Sequence, residues 1–391
     1  MLLASALLAS TAQAQQRLTR RPSTQSQLLA FIDSAAANAI RNHDAPALGV
    51  AVWRGSRLLL DEAYGVSDLE NQVRASPSTE FLIGSITKQF TAAAILQLVE
   101  RGKLSLDDPL TKFFPEWPMP GERVTVRELL NHTSGIKDYT APARFWSVDA
   151  RITQPHDSIL ARVRTEPFDF PPGTAFRYSN TGYYLLGVIL ERVSGESYAD
   201  YLQRHVFAPA GLSSTVYCDN DRIVPHRARG YVADGHAGFR NAPFIDMSTP
   251  FAAGALCATA KDLVVWTRAL ESGRVVQPNS YRQMTAPVPL PDGKPQSYGF
   301  GLAVGDLDGH RVVSHNGGIN GFRAQLASYP NDSVIVAVVT NSETGLPDQL
   351  EKQIARRALG IPEPNVVDLP VPSADAARWA AATHWARRRS T

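Results

Sequence analysis

The chain of 391 residues contains only two cysteines, Cys218 and Cys257. So few exclude a disulfide-dense scaffold, an iron–sulfur protein and a cysteine-rich zinc site. The nine histidines show no H-x-H, H-E-x-x-H or H-x-x-E-H spacing, so no metal is implied. Charge of one sign is also lacking. Lys+Arg is 39 against 37 for Asp+Glu, a net +2, which argues against a nucleic-acid partner. No run reaches the roughly 18 apolar residues of a membrane-crossing helix, so no transmembrane anchor is expected. There is no G-x-S-x-G and no Walker loop, and Gly299-x-Gly301 lacks the third glycine of a dinucleotide fingerprint. No cofactor is implied.

What is present is ordinary globular composition, 44% hydrophobic and 19% charged. At about 100–200 residues per domain, the length fits two or three units or one large two-lobed enzyme. Residues 1–14, MLLASALLASTAQA, combine a short apolar core with a small-x-small end at Ala12-Gln13-Ala14. That pattern reads as a signal peptide, although no Lys or Arg precedes the apolar run. The chain is therefore expected to be exported, periplasmic or secreted. In an oxidising compartment Cys218 and Cys257 can pair; otherwise they are two buried thiols.

Helical periodicity runs from Leu28 to Ile40. Leu48–Trp53 and Arg57–Tyr64 read as a hairpin split by Arg54-Gly55-Ser56. A strong helix is expected over Ser85–Arg101, closed by Gly102. From about 105 to 275 the pattern is helices and loops, with helices over Val124–Leu130, Thr181–Val193 and Lys261–Leu270. Strands follow at Tyr298–Val304, Arg311–Ser314, Phe322–Tyr329 and Val334–Thr340, then a closing helix Gln349–Leu359. The simplest assembly is an α+β fold: one antiparallel sheet built from both chain ends, flanked by terminal helices, with an all-helical lobe inserted. The domain is placed at 26–360 and a C-terminal tail at 361–391. A site would lie between the lobes.

Two S-x-x-K matches occur, Ser85-Ile86-Thr87-Lys88 and Ser134-Gly135-Ile136-Lys137. Spacing alone does not choose between them, but Ser85 opens the strongest helix whereas Ser134 lies in a loop-like stretch. On a helix, i and i+3 share a face, so Lys88 can reach Ser85. By itself this also describes an N-cap serine with a surface lysine. A second element, Arg177-Tyr178-Ser179-Asn180, precedes a helix, and extended backbone points Tyr178 and Asn180 the same way. A tyrosine beside a lysine is a proton shuttle in waiting, and an asparagine amide both donates and accepts. The third is Ser314-His315-Asn316-Gly317-Gly318 at a strand end, where glycines admit a substrate backbone.

These elements, in this order, resemble the serine β-lactamase and penicillin-binding protein superfamily, with S-x-x-K, Y-x-N and H-x-G in place of K-T-G. The nearest likeness is to the class C β-lactamase, D,D-peptidase, D-aminopeptidase and esterase branch. Leu129-Leu130-Asn131-His132-Thr133-Ser134-Gly135, Pro172-Gly173-Thr174 and Ala253-Gly254-Ala255-Leu256-Cys257 add to it. The resemblance implies Ser85 as the acylated nucleophile, with Lys88 and Tyr178 sharing acid and base duty. It also implies Asn180 holding the substrate amide, and the N–H groups of Ser85 and Gly318 as oxyanion hole. His315 and Asn316 take the lysine and threonine positions of K-T-G, beside Gly317. A histidine there is half charged or less near neutral pH, which weakens attraction for a substrate carboxylate. The expectation is a serine hydrolase acting through an acyl-enzyme on small-molecule or peptide substrates, D-amino-acid peptides or small acyl esters first. The alternatives are a class C-like β-lactamase and a non-catalytic penicillin-recognising sensor.

Overall fold

The computed structural model describes residues 24–362, apart from Met119, His236, Ala237, Asp292 and Lys294. The expected signal peptide (1–14) and nearly all of the expected tail lie outside the described residues. The frame consists of α1 (Gln25–Arg41), β1 (Ala47–Arg54), β2 (Arg57–Asp68), β3 (Val73–Arg74), α2 (Thr87–Glu100), α3 (Asn180–Ser194), α4 (Ala260–Glu271), β4 (Ala303–Leu307), β5 (His310–Ile319), β6 (Phe322–Tyr329), β7 (Val334–Thr340) and α5 (Leu346–Leu359).

Helix α1 starts in a capping box, Thr24 and Gln27 bonding each other's backbone N–H. Its buried residues Leu28, Ile32, Ala36 and Ala39 form one stripe at helical spacing. Burying Leu28 and Ile32 stabilises by about 1.5–3 kcal/mol each. The strands follow the period-two rule. Leu48, Val50 and Val52 pack with Val334, Val336 and Val338 under α1 and α5. Ala47, Ala51, Ile335, Ala337 and Val339 face the opposite side, toward α2 and α4. With both faces covered, β1 and β7 read as almost unbroken apolar runs.

All seven strands are antiparallel, in the order β4-β5-β6-β7-β1-β2-β3. The two chain ends meet where β1 pairs with β7, Leu48 opposite Thr340 and Ala51 opposite Ala337. The insertion between is mostly helices and loops, and also carries short strands. Leu256–Ala258 pairs with Phe81–Leu82 and Val216–Tyr217, and Tyr231–Ala233 pairs with Phe239–Asn241. A Cys218–Cys257 disulfide closes 39 residues beside the first ladder.

Three of the boundaries that differ from the sequence reading shape the site. The strand expected at Tyr298–Val304 begins only at Ala303. Gly299 and Gly301 instead press on backbone: a methyl group would come 2.0 Å from the Met284 carbonyl oxygen at Gly299 and 2.7 Å from that of Lys88 at Gly301. β5 runs five residues past Ser314 to Ile319, through both glycines. Helix α2 starts at Thr87, so Ser85 stands on a preceding 3₁₀ turn, Gly84–Ile86. Twelve consecutive α2 residues, Thr87 to Leu98, are buried, because the helix is wedged between sheet and helical insertion.

Candidate active site

The turn that carries Ser85 is held against β5 by an absence of side chains. Gly84 has φ +49, and a methyl group on it would lie 2.7 Å from the Gly318 backbone nitrogen. A methyl group on Gly317 would lie 1.9 Å from the Ile83 carbonyl oxygen and 3.4 Å from the Ser85 nitrogen. The Ser85 and Gly318 backbones are thereby neighbours, with Gly318 exposed to the cleft.

Lys88 lies one helical turn from Ser85, and its side chain is wholly buried. Nζ donates to Ser85 Oγ at 3.1 Å, to Asn180 Oδ1 at 2.9 Å and to the Ala253 carbonyl at 2.8 Å. Burial pulls its pKa down to about 7, against an upward pull from the Asp138 carboxylate. The amine is thus close to half protonated at neutral pH.

Tyr178 reaches the same point from the extended segment before α3. Its ring centroid is 4.8 Å from Lys88 Nζ. Its hydroxyl oxygen is buried and, among the described residues, makes no hydrogen bond. Burial raises the phenol pKa; the Ser85 hydroxyl is near enough to favour the phenolate, and Asp138 opposes it. The resting group is a neutral phenol.

Asn180 heads α3. Besides accepting from Lys88, its Nδ2 donates to Asp138 Oδ2 and Thr140 Oγ1, both at 3.2 Å, and its backbone N–H to Asp138 at 3.0 Å. The amide is committed within the protein and links Lys88 to Asp138. His315 is 4% exposed and faces inward. Its Nδ1 lies 2.5 Å from the Asn316 carbonyl, which can only accept, so Nδ1 carries the proton. Nε2 then accepts from the Tyr298 hydroxyl at 2.8 Å. Burial first, then the Lys88 charge, push its pKa down to about 4. His315 is therefore neutral, with both nitrogens occupied, rather than a partly charged group facing the cleft. Asn316 is exposed on the opposite face of β5.

The second S-x-x-K does not assemble. Lys137 pairs with Asp169 at 2.5 Å, and Ser134 is buried and accepts from the Ile136 N–H at 3.4 Å. Four contributors were assigned no role from the sequence: Asp138 and Thr140, which lie in no quoted motif, and the Ala253 carbonyl and His132, which lie in stretches that only supported the resemblance. A backbone acceptor leaves no side-chain signature at all. His132 is buried, with its ring centroid 4.3 Å from that of Tyr178, and Nδ1 accepts from the Ser179 N–H at 3.1 Å. It backs the tyrosine ring and fixes the backbone next to it.

Ser85, Tyr178 and Asn180 open on a cavity of about 190 Å³ walled by Tyr139, Phe145, Trp146, Ile245 and Pro250. A desolvated lysine aimed at a serine, where a helical insertion meets an antiparallel sheet, places the molecule in the β-lactamase/transpeptidase class of folds. The family model described as Beta-lactamase matches residues 32–360. A D-aminopeptidase of Brucella canis is 30% identical over 330 residues, covering 82% of this chain and 61% of that protein. The chain thus spans about three fifths of the length of the curated relatives it matches. Among solved structures, an octameric penicillin-binding protein homologue from Pyrococcus abyssi is 28% identical, with TM-score 0.75, covering 85% of this chain and 77% of the other. A D-stereospecific amidohydrolase from Streptomyces sp. is 27% identical, with TM-score 0.72, covering 83% and 97%. The chain belongs to the β-lactamase family.

Proposed function

We propose that this protein is a serine hydrolase that cleaves amide or ester bonds through an acyl-enzyme on Ser85, with D-amino-acid derivatives as the preferred class. The observation that carries this is the buried Lys88 amine, 3.1 Å from Ser85 Oγ with its pKa brought to about 7. Neutral Lys88 takes the Ser85 proton as Oγ attacks the carbonyl carbon. The oxyanion is received by the N–H groups of Ser85 and Gly318, each donor worth about 3–4 kcal/mol. Tyr178, a neutral phenol beside Ser85, passes a proton to the departing nitrogen or oxygen and recovers one from the Lys88 ammonium. Water then attacks the ester, Lys88 accepts its proton and returns it to Oγ as the Oγ–carbon bond breaks, and the acid product leaves with Ser85 and neutral Lys88 restored. Asn180 and His315 act by holding Lys88 and the strand in place. The named relatives, a D-aminopeptidase and a D-stereospecific amidohydrolase, support the substrate class.

The test is a fluorophosphonate probe followed by a panel of p-nitrophenyl esters, D-amino-acid anilides and a chromogenic cephalosporin. Labelling at Ser85 with turnover of esters or anilides is expected. Steady cephalosporin turnover would favour a β-lactamase instead, and no labelling with no turnover would leave a sensor. We also propose that the chain is exported, on the strength of the leader-like residues 1–14. Secretion from a host with a new N-terminus at Gln15 is expected; an unprocessed intracellular product would overturn this.

A further inference from the structure

Tyr139 and Phe145 wall the cavity at Ser85 and also a larger one, of about 690 Å³, that none of Ser85, Lys88 and Tyr178 lines. Small-molecule sites span about 300–1,000 Å³. With Val163 the two rings give this second cavity an apolar wall. Ionisable side chains of both signs surround the rest, and most are committed to each other. Asp149 pairs with Arg162 at 2.6 Å, and Asp169 with Lys137 at 2.5 Å and Arg177 at 2.8 Å. Asp138 accepts from the Asn180 amide and the Thr140 hydroxyl. Two groups differ. Glu166 is exposed, and among the described residues its carboxylate has no hydrogen bond or ion pair. Arg144 has a side chain 76% exposed, and its one ion pair among the described residues is a 3.7 Å approach to Asp149, which Arg162 already holds more closely. One uncommitted carboxylate and one loosely held guanidinium therefore line the same cavity beside an aromatic wall.

We propose that this cavity is a binding site for a free α-amino acid with an apolar side chain, separate from the site of acylation. The planar fork of Arg144 takes the ligand's carboxylate, and Glu166 takes its ammonium. The ligand's side chain packs on Tyr139, Phe145 and Val163. A ligand of one charge answers only one of the two uncommitted groups, whereas a zwitterion answers both. Four cations against four carboxylates also leave the cavity without net charge, so neither an anion nor a cation is favoured by the surroundings. No bond is made or broken, and the inference does not depend on acylation at Ser85. The ligand would nonetheless sit close to the chemistry. Asp138 lines this cavity and binds the Asn180 amide, whose oxygen accepts from Lys88.

The experiment is a calorimetric titration of the full-length protein with L-phenylalanine, the enantiomer opposite to the proposed substrates. Two single-charge probes accompany it: hydrocinnamate, which lacks the ammonium, and phenethylamine, which lacks the carboxylate. Phenylalanine is expected to bind about fivefold more tightly than either, the scale of one ion pair in an open cavity. Arg144→Gln should bring phenylalanine down to the affinity of phenethylamine, and Glu166→Gln to that of hydrocinnamate. Asp149 keeps Arg162 when Arg144 is replaced, so that variant should fold. Ala141→Trp, at an exposed position that lines this cavity and not the one at Ser85, should block binding. Melting curves of each variant verify folding. Equal affinity for the three ligands, or no saturable binding of phenylalanine, overturns the site. So does a preference for phenylalanine that survives Arg144→Gln combined with Glu166→Gln, which would move the amino acid to the cleft at Ser85.

Discussion

Of the ionisable groups at the cleft, Lys88 is the one whose charge state decides what the others can do. Among the described residues no carboxylate touches it, and its three acceptors are a hydroxyl, an amide oxygen and a backbone carbonyl. Desolvation is therefore only partly offset, and the amine titrates at about 7. Below that pH the protonated lysine cannot accept the serine proton, so kcat/KM should fall tenfold per pH unit on the acid side and level off above it. Since His315 stays neutral down to about 4, no second inflection belongs to it. A pH–rate profile with p-nitrophenyl acetate checks this; a flat profile from 5 to 8 would contradict the assigned base. Ser85→Ala should lower kcat by at least about 10³-fold, since nucleophile removal leaves only binding and oxyanion stabilisation. Steady-state ester hydrolysis measures it. At this scale the approach of Lys88 to Ser85 was legible from the i to i+3 spacing, whereas Tyr178 was joined to them only through the resemblance, since nothing local links it to Ser85. The roles of Asp138 and the Ala253 carbonyl were not legible, because each acts through a partner remote in sequence.

Among the elements, the packing of the Ser85 turn on β5 carries the geometry. Gly317 is where strand and turn touch, and its missing side chain is filled by the Ile83 carbonyl. Gly317→Ala forces backbone apart in a fully packed place, which typically costs about 1–3 kcal/mol. Displacing Gly318 from Ser85 should also lower kcat/KM about 10²-fold, the effect of losing one oxyanion donor. Thermal melts and ester kinetics on the same variant separate the two losses; a variant with full activity would show that the turn tolerates the shift. The sequence reading ended this strand at Ser314 and took the glycines beyond it as room for a substrate backbone. The strand continues because the approaching turn leaves no room for anything larger. The helix start moved for a related reason: β5 pins Gly84 at φ +49, so regular helix begins only after Ile86.

For the whole molecule, the sheet joins residues near both ends of the described chain, and the disulfide ties the strand Leu256–Ala258 to the residue that follows the strand Val216–Tyr217. Cys257 lies four residues beyond Ala253, in the strand whose neighbour, Ala255, accepts the Cys218 N–H at 2.9 Å. The bridge therefore steadies the segment that presents a carbonyl to Lys88. Closing 39 residues stabilises by about 3–4 kcal/mol in the chain-entropy model. Cys218→Ser/Cys257→Ser protein should unfold at correspondingly lower urea and lose activity well below its melting temperature. Urea titrations with and without reductant test this; coincident curves for oxidised and reduced protein would refute it.

Local order in the sequence settled what repeats locally. Period-two apolar runs produced the central strands, helical stripes produced α1 and α5, and the i to i+3 step set Lys88 against Ser85. Tertiary structure alone decided the rest. Lys88 meets Asn180 and Ala253 across 92 and 165 residues, and its pKa depends on water those contacts exclude. His315 became neutral because Tyr298 and the interior close around it, and Arg144 and Glu166 came to line one cavity. Such effects are properties of distance and dielectric, which no linear pattern encodes.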